Sequence, residues 1–159
     1  MARKTQTTAR AKKDAVALLK ADHRLVAKWF GEFENARTPS RKKKLADQIC
    51  TALTIHMQIE EGIFYPAFIA ATKDTDMHHE AVVEHAGAKF LIRQIKKSRV
   101  SDGYYDSKVH VLSEMIKHHV KEEEQRGGMF DEAKQSRMNL EALGAKMQAR
   151  KEQLEARSR

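Results

Sequence analysis

The stretch HMQIEEGIFYP, residues 56–66, puts a histidine and a glutamate four positions apart on what reads as the apolar stripe of a helix. Upstream, Leu45, Ile49 and Leu53 keep the three- and four-residue spacing of one helix face, and His56, Glu60 and Ile63 continue it. Such a stripe turns toward a core. A carboxylate or imidazole buried there without partners is costly, so His56 and Glu60 need something inside the protein to bind.

The phrase recurs at HHVKEEE, residues 118–124. Two pairs have the right spacing, His118 with Glu122 and His119 with Glu123, and the upstream residues decide between them. Leu53, Ala52 and Ile49 precede His56 by three, four and seven positions; Ile116, Met115 and Leu112 precede His119 at the same offsets, whereas His118 has Met115, Glu114 and Val111. The core pair is therefore His119 with Glu123.

Four long segments carry stripes of this kind. The first covers residues 13–36, with Val16, Leu19, His23, Val26, Phe30 and Phe33. Thr38, Pro39 and Ser40 break it, and Ser40 is placed to cap the second segment, residues 41–71, in which Pro66 should kink or interrupt the helix. Asp74, Thr75 and Asp76 form a polar break that offers an N-cap. The third segment, residues 77–98, carries Ala81, His85, Ala88, Ile92 and Ile95. After Ser101, Asp102 and Gly103, the fourth covers residues 105–125, and Gly127 and Gly128 end or distort it. Residues 129–157 are highly charged, with a thin stripe of Leu140, Leu143, Met147 and Leu154, and read as a fifth helix. No stretch alternates with the period of a strand. The connections are short, so neighbouring helices should run antiparallel. The expected fold is all-α, an up-down-up-down four-helix bundle over residues 13–133, with a basic arm over residues 1–12 and an extra charged C-terminal helix over residues 134–159.

His23 and His85 stand alone near the middle of the first and third segments. From His23 to His56 is 33 positions and from His85 to His119 is 34, so the chain reads as two helical hairpins, each offering one histidine and then His-x-x-x-Glu. Residues four apart on a helix are about 6 Å apart along one face, close enough to offer a nitrogen and a carboxylate to the same centre. Six polar residues on four core-facing stripes call for a common explanation, and a metal centre on His23, His56, Glu60, His85, His119 and Glu123 supplies it. The alternative is a set of polar groups satisfied by one another.

With these motifs and Glu84–His85 on the third segment, the chain resembles the hemerythrin-like (HHE cation-binding) family over about residues 14–133. The resemblance implies a non-heme di-iron centre with His23, His56, Glu60, His85, His119 and Glu123 as ligands, both glutamates bridging. In two respects the sequence departs from relatives. Oxygen-carrying invertebrate hemerythrins have two histidines four apart on the third helix, whereas Ala81 and Lys89 flank His85 here. The run EEEQRGGMF is also longer than EEGIF, which should alter the end of the fourth helix. Ferritin-like bundles use Glu-x-x-His, which does not occur, and structural zinc sites prefer four ligands with thiolate.

Two six-coordinate irons, with two bridging glutamates, four histidines and an oxo or hydroxo bridge, keep about two positions for small ligands. This suggests a di-iron protein that binds or reacts with dioxygen, peroxide or nitric oxide, with peroxide or nitric oxide removal as the enzymatic variant. The alternatives are a metal- or redox-dependent sensor presenting its last helix to a protein partner, and iron storage or delivery.

The remaining residues read as scaffold. Trp29, Phe30, Phe33, Phe64 and Phe90 should line the core or the site's dry shell, and Met57, Met115 and Met129 should fill gaps. Tyr65, Tyr104 and Tyr105 read as packing rather than as phenolate ligands. Glu61, Glu122 and Glu124 should face solvent or orient ligands, and His78, His79 and His110 should lie at the surface. The chain has 159 residues, a size for one core, with net charge +8. Much of that charge lies at the ends, on Arg3, Lys4, Arg10, Lys12 and Lys13 and on Arg150, Lys151, Arg157 and Arg159. No aromatic side chain interleaves with the basic arm to stack on bases, so nucleic acid is not the expected partner. No apolar run is long enough to span a membrane, the N-terminus lacks the apolar core of a signal peptide, and Cys50 is the single cysteine; a cytoplasmic location is expected.

Overall fold

A computed structural model describes residues 12–159; of the basic arm, residues 1–11 lie outside the described part. The elements are α1 (Ala15–Asn35), α2 (Pro39–Ile59), a π-helical turn (Glu60–Phe64), α3 (Tyr65–Thr72), α4 (Thr75–Lys97), α5 (Tyr105–Glu124), α6 (Met129–Gln135) and α7 (Leu140–Arg157). The fold is all-helical, with no strand among the described residues. His23, early in α1, touches His56, near the end of α2, and His85 touches His119 in the same way, so α1–α2 and α4–α5 are antiparallel hairpins. Together the two hairpins form a four-helix bundle, and α7 lies against α1 and α2.

The helix starts follow from local side chains. Asp14 accepts from the Ala17 N–H at 2.8 Å and caps α1, and Asp74 accepts from the Met77 N–H at 3.1 Å and caps α4. Thr38, not Ser40, caps α2, because Pro39 fits the first helical turn, where its missing N–H is no loss. Pro66 interrupts the second segment without breaking it. It cannot donate to the Gly62 carbonyl and its ring would crowd that group; the chain widens into the π-turn, in which the Tyr65 N–H reaches back five residues to the Glu60 carbonyl.

The last segment is two helices rather than the expected one. Ser136 donates to the Ala133 carbonyl and accepts from the Met138 N–H, and Asn139 then caps α7 by accepting from the Ala142 N–H. Side chains that bond to nearby backbone in this way compete with helix continuation. Gly144 in α7 lets that helix approach α1 closely: a Cβ there would lie 2.5 Å from the Lys13 carbonyl oxygen.

The apolar core is in two parts. Leu19, Ile59, Phe64, Phe68, Phe130 and Met147 belong to one cluster; Phe33, Leu45, Ile49, Ile92 and Leu112 belong to the other. Along each helix the polar residues of interest fall between the two. Phe90 is a correction to the expected core: it is 54% exposed on the outer face of α4. Trp29 is half-buried against the second cluster. No helix among the described residues is long and apolar enough to cross a membrane.

Candidate metal centre

All six predicted residues converge on the belt between the two clusters. His23, His56, Glu60, His85, His119 and Glu123 are each at most 7% exposed, and Glu60 is fully buried. Ligand atoms of His23, His56 and Glu60 lie within 4.8 Å of one another, as do those of Glu60, His85, His119 and Glu123. Each hairpin thus supplies one imidazole pair: the Nε2 atoms of His23 and His56 are 3.2 Å apart, as are those of His85 and His119. Glu60 belongs to both groups. The choice of register in the fourth segment also has a physical counterpart, since the His118 side chain is 65% exposed and that of His119 only 5%.

The outward-facing ring nitrogens meet a ring of carboxylates with the same internal repeat. Asp22, immediately before His23, lies 3.1 Å from His56 Nδ1, and Glu84, immediately before His85, lies 2.8 Å from His119 Nδ1. Glu124, immediately after Glu123, lies 3.2 Å from His23 Nδ1, and Glu61, immediately after Glu60, lies 3.7 Å from His85 Nδ1. Asp22, Glu84 and Glu124 so placed fix the rings of His56, His119 and His23 with Nε2 turned inward and raise their basicity as ligands, whereas Glu61 stands beside His85 Nδ1 without a hydrogen bond. Sequence reasoning expected Glu61 and Glu124 to orient ligands or face solvent, and missed Asp22 and Glu84. The missed signal was the repeat itself, an acidic residue directly before each lone histidine. Glu122 is half-buried and accepts from Gln125, with no hydrogen bond to any of the six.

Three of the outer carboxylates are themselves held. Lys151 on α7 donates to Asp22 at 2.5 Å, Lys89 donates to both oxygens of Glu61, and His118 Nε2 lies 3.1 Å from Glu84. Aromatic rings close the end of the site. Tyr65 stacks on His85 with centroids 5.4 Å apart, and Phe130 stacks on His23 at 5.8 Å. The Tyr65 hydroxyl also lies 3.2 Å from His85 Nε2 and donates to Glu123 at 3.4 Å. The residue expected only to pack is therefore inside the site, while Tyr104 is exposed and Tyr105 is buried at the far end. The run EEEQRGGMF breaks after Glu124 where the first hairpin makes a π-turn, with Gly127 at φ +76°; Phe130, seven positions after Glu123, takes the place that Tyr65, five positions after Glu60, takes in the first hairpin. His78 is half-buried edge-on to Tyr65, and His79 and His110 are exposed.

The charges in this belt are tightly linked. Burial would depress His56 and His119, but Glu60 and Asp22 beside the first, and Glu123 and Glu84 beside the second, push them up to about 10 and about 11. Burial and the neighbouring imidazole pull His23 down to about 3, and burial pulls His85 down to about 4. Burial works to raise Glu60, yet the imidazoles around it hold it well below the carboxylate range. Burial and the Glu60 charge push Glu123 up to about 7 and Tyr65 well above the usual phenol value.

The donor set fits a cation. His56 Nε2 abuts Glu60 Oε1 and His119 Nε2 abuts Glu123 Oε1. Among the described residues Oε2 of each glutamate and Nδ1 of His85 are buried without a hydrogen-bond partner. Buried carboxylate oxygens of this kind are normally paired or coordinate metal. Four imidazoles and two carboxylates without a thiolate suit hard or borderline ions.

Comparison with known proteins agrees. The crystal structure of a hemerythrin HHE cation binding domain-containing protein from Mycobacterium kansasii has the same fold, with a TM-score of 0.71 over 91% of this chain and 89% of that one, at 22% sequence identity. A protein of Nostoc sp. named DNA nickase is 28% identical over 107 residues, which is 67% of this chain and only 30% of that relative. The family model for the hemerythrin HHE cation binding domain matches residues 14–126, the segment that holds all six convergent side chains and their four outer carboxylates. The chain belongs to the hemerythrin HHE cation-binding family.

Proposed function

We propose that the centre holds two iron ions and that the protein binds or reacts with dioxygen, peroxide or nitric oxide. The reading rests on one observation: two imidazole pairs face a shared, fully buried Glu60 whose Oε2 has no hydrogen-bond partner among the described residues. His23 and His56 would hold one ion and His85 and His119 the other, with Glu60 and Glu123 between them. Iron so held supplies open coordination positions and one-electron chemistry for a small redox-active ligand. The protein's own part is to orient three of the imidazoles through Asp22, Glu84 and Glu124 and to keep Tyr65 and Phe130 packed over the site, so that bulk water is excluded. Tyr65 keeps its proton and is positioned to donate a hydrogen bond at the mouth of the second half-site.

A cleft of about 560 Å³ between α1 and α5, with Phe30, Ile116 and Val120 on its walls, reaches His23 and Glu124. Glu34, Lys117 and Lys121 also line it, so charges of both signs offset one another there and no one-signed field draws in an ion; Phe30, Ile116 and Val120 suit an uncharged diatomic ligand. DNA is not included as a substrate: the relative named DNA nickase shares less than a third of its length with this chain. Optical spectra of the iron-loaded, reduced protein mixed with dioxygen, peroxide or nitric oxide, together with a peroxide-decay assay, test the proposal. A new absorption band with at least one of the three is expected; no spectral change with any of them would overturn it.

A further inference from the structure

A second opening leads to the centre from the opposite hairpin and has different chemistry. It is a pocket of about 240 Å³ between the start of α4 and the end of α5. Asp74, Asp76, Glu80, Glu84 and Glu122 line it, with no lysine or arginine among the described residues, on a chain whose net charge is +8. Its walls also include His119 and Glu123, so it opens directly on two of the proposed ligands. Glu123 is 1% exposed, and its Oε2 has no hydrogen-bond partner among the described residues.

The carboxylates differ in how far they are engaged. Asp74 caps α4, Glu84 is bound by His118 and His119, and Glu122 accepts from Gln125. Asp76 and Glu80, one turn apart on α4, make no hydrogen bond or ion pair with any described residue, and both are exposed. Exposed carboxylate oxygens that no other residue engages suit a hydrated divalent cation that is to be passed on rather than kept. A cleft lined by one sign of charge also concentrates its counter-ion and speeds capture by about 10-fold or more.

We propose that this acidic pocket is the uptake port of the centre: a divalent cation is captured by Asp76 and Glu80, passes Glu84 and Glu122, and reaches Glu123 and His119. Cations and neutral ligands then use separate routes, the cations through this pocket and the ligands through the cleft between α1 and α5. The port rests on the reading that the centre binds metal.

Anaerobic stopped-flow mixing of the metal-free protein with Fe²⁺, followed by the loss of iron available to a chromophoric chelator, tests it. Glu80→Gln and the double variant Asp76→Asn/Glu80→Gln should fill at least about threefold more slowly than the wild type, with a weaker dependence on ionic strength. Their final iron content and melting temperature should be unchanged. Glu34→Gln, in the opposite cleft, should fill at the wild-type rate. The port is refuted if the two α4 variants fill at the wild-type rate, if Glu34→Gln is the slow one, or if the α4 variants lose bound iron at saturation. Wild-type protein that saturates at one ion refutes the two-ion reading and leaves the rate comparison to judge the port; wild-type protein that takes up no iron refutes both.

Discussion

Glu60 is the residue on which the most weight falls, and Glu60→Gln is the cleanest perturbation of it. The change keeps the side-chain volume, so no cavity opens in a site that is fully buried. It removes one charge that both imidazole pairs share. In the wild type, ions that bind only the folded chain stabilise it by mass action, roughly 2.7 kcal/mol per site at a hundredfold excess over Kd and so about 5 kcal/mol for two sites. For a chain of this size about 1 kcal/mol moves the melting point by 2–4 °C, so saturating Fe²⁺ should raise it by about 10–20 °C. Glu60→Gln should keep less than half of that rise, since each ion loses a charged ligand. Metal-free, the variant loses a buried ion pair with His56, but the imidazole can then shed its proton, so the metal-free melting point should move by less than about 5 °C. Scanning calorimetry of both proteins, anaerobically and with and without Fe²⁺, reads all four values. An equal rise in both would show that Glu60 does not bridge, and the pairing of half-sites through it would be wrong.

Three further results are expected. His119→Ala should cost more than the roughly 10–100-fold in metal affinity that an outer partner costs, while His118→Ala, at an exposed ring that touches only Glu84, should cost less; reversed results in a chelator-competition titration would mean the register is wrong. His56 and His119, pushed up to about 10 and about 11, carry protons at pH 7 that a metal must displace, so loading should release about two or more protons per chain and affinity should strengthen as pH rises from 6 to 8; calorimetry in buffers of different ionisation enthalpy would show it, and release of none would contradict it. Lys151→Met should loosen Asp22 and hence His56 alone, so metal release to a chelator should become biphasic with one ion about 10-fold faster, and Lys151→Arg should restore a single phase; equal acceleration of both ions would mean that α7 merely stabilises the fold.

The bundle and the six convergent side chains were legible because helix periodicity and burial are local signals. His56 and Glu60 continue a stripe that Leu45, Ile49 and Leu53 begin, and the second hairpin repeats it. What was not legible depends on contacts across the fold. Asp22 and Glu84 acquire a role only when α2 and α5 bring His56 and His119 to them. Lys151 is 129 residues from Asp22, and no spacing rule connects them. Tyr65 has the look of a packing aromatic, and only the π-turn that Pro66 imposes aims its hydroxyl at His85 and Glu123. The break between α6 and α7 was legible in principle, since Ser136 and Asn139 are both residues that turn a chain, but the charged periodicity on either side concealed it.

Counting metal decides whether the buried His₄Glu₂ site holds the two iron ions proposed for it. Protein produced in iron-replete medium, freed of loosely bound ions and analysed for iron and zinc against protein concentration, should contain about two irons per chain. A value near one, or zinc alone, would contradict it.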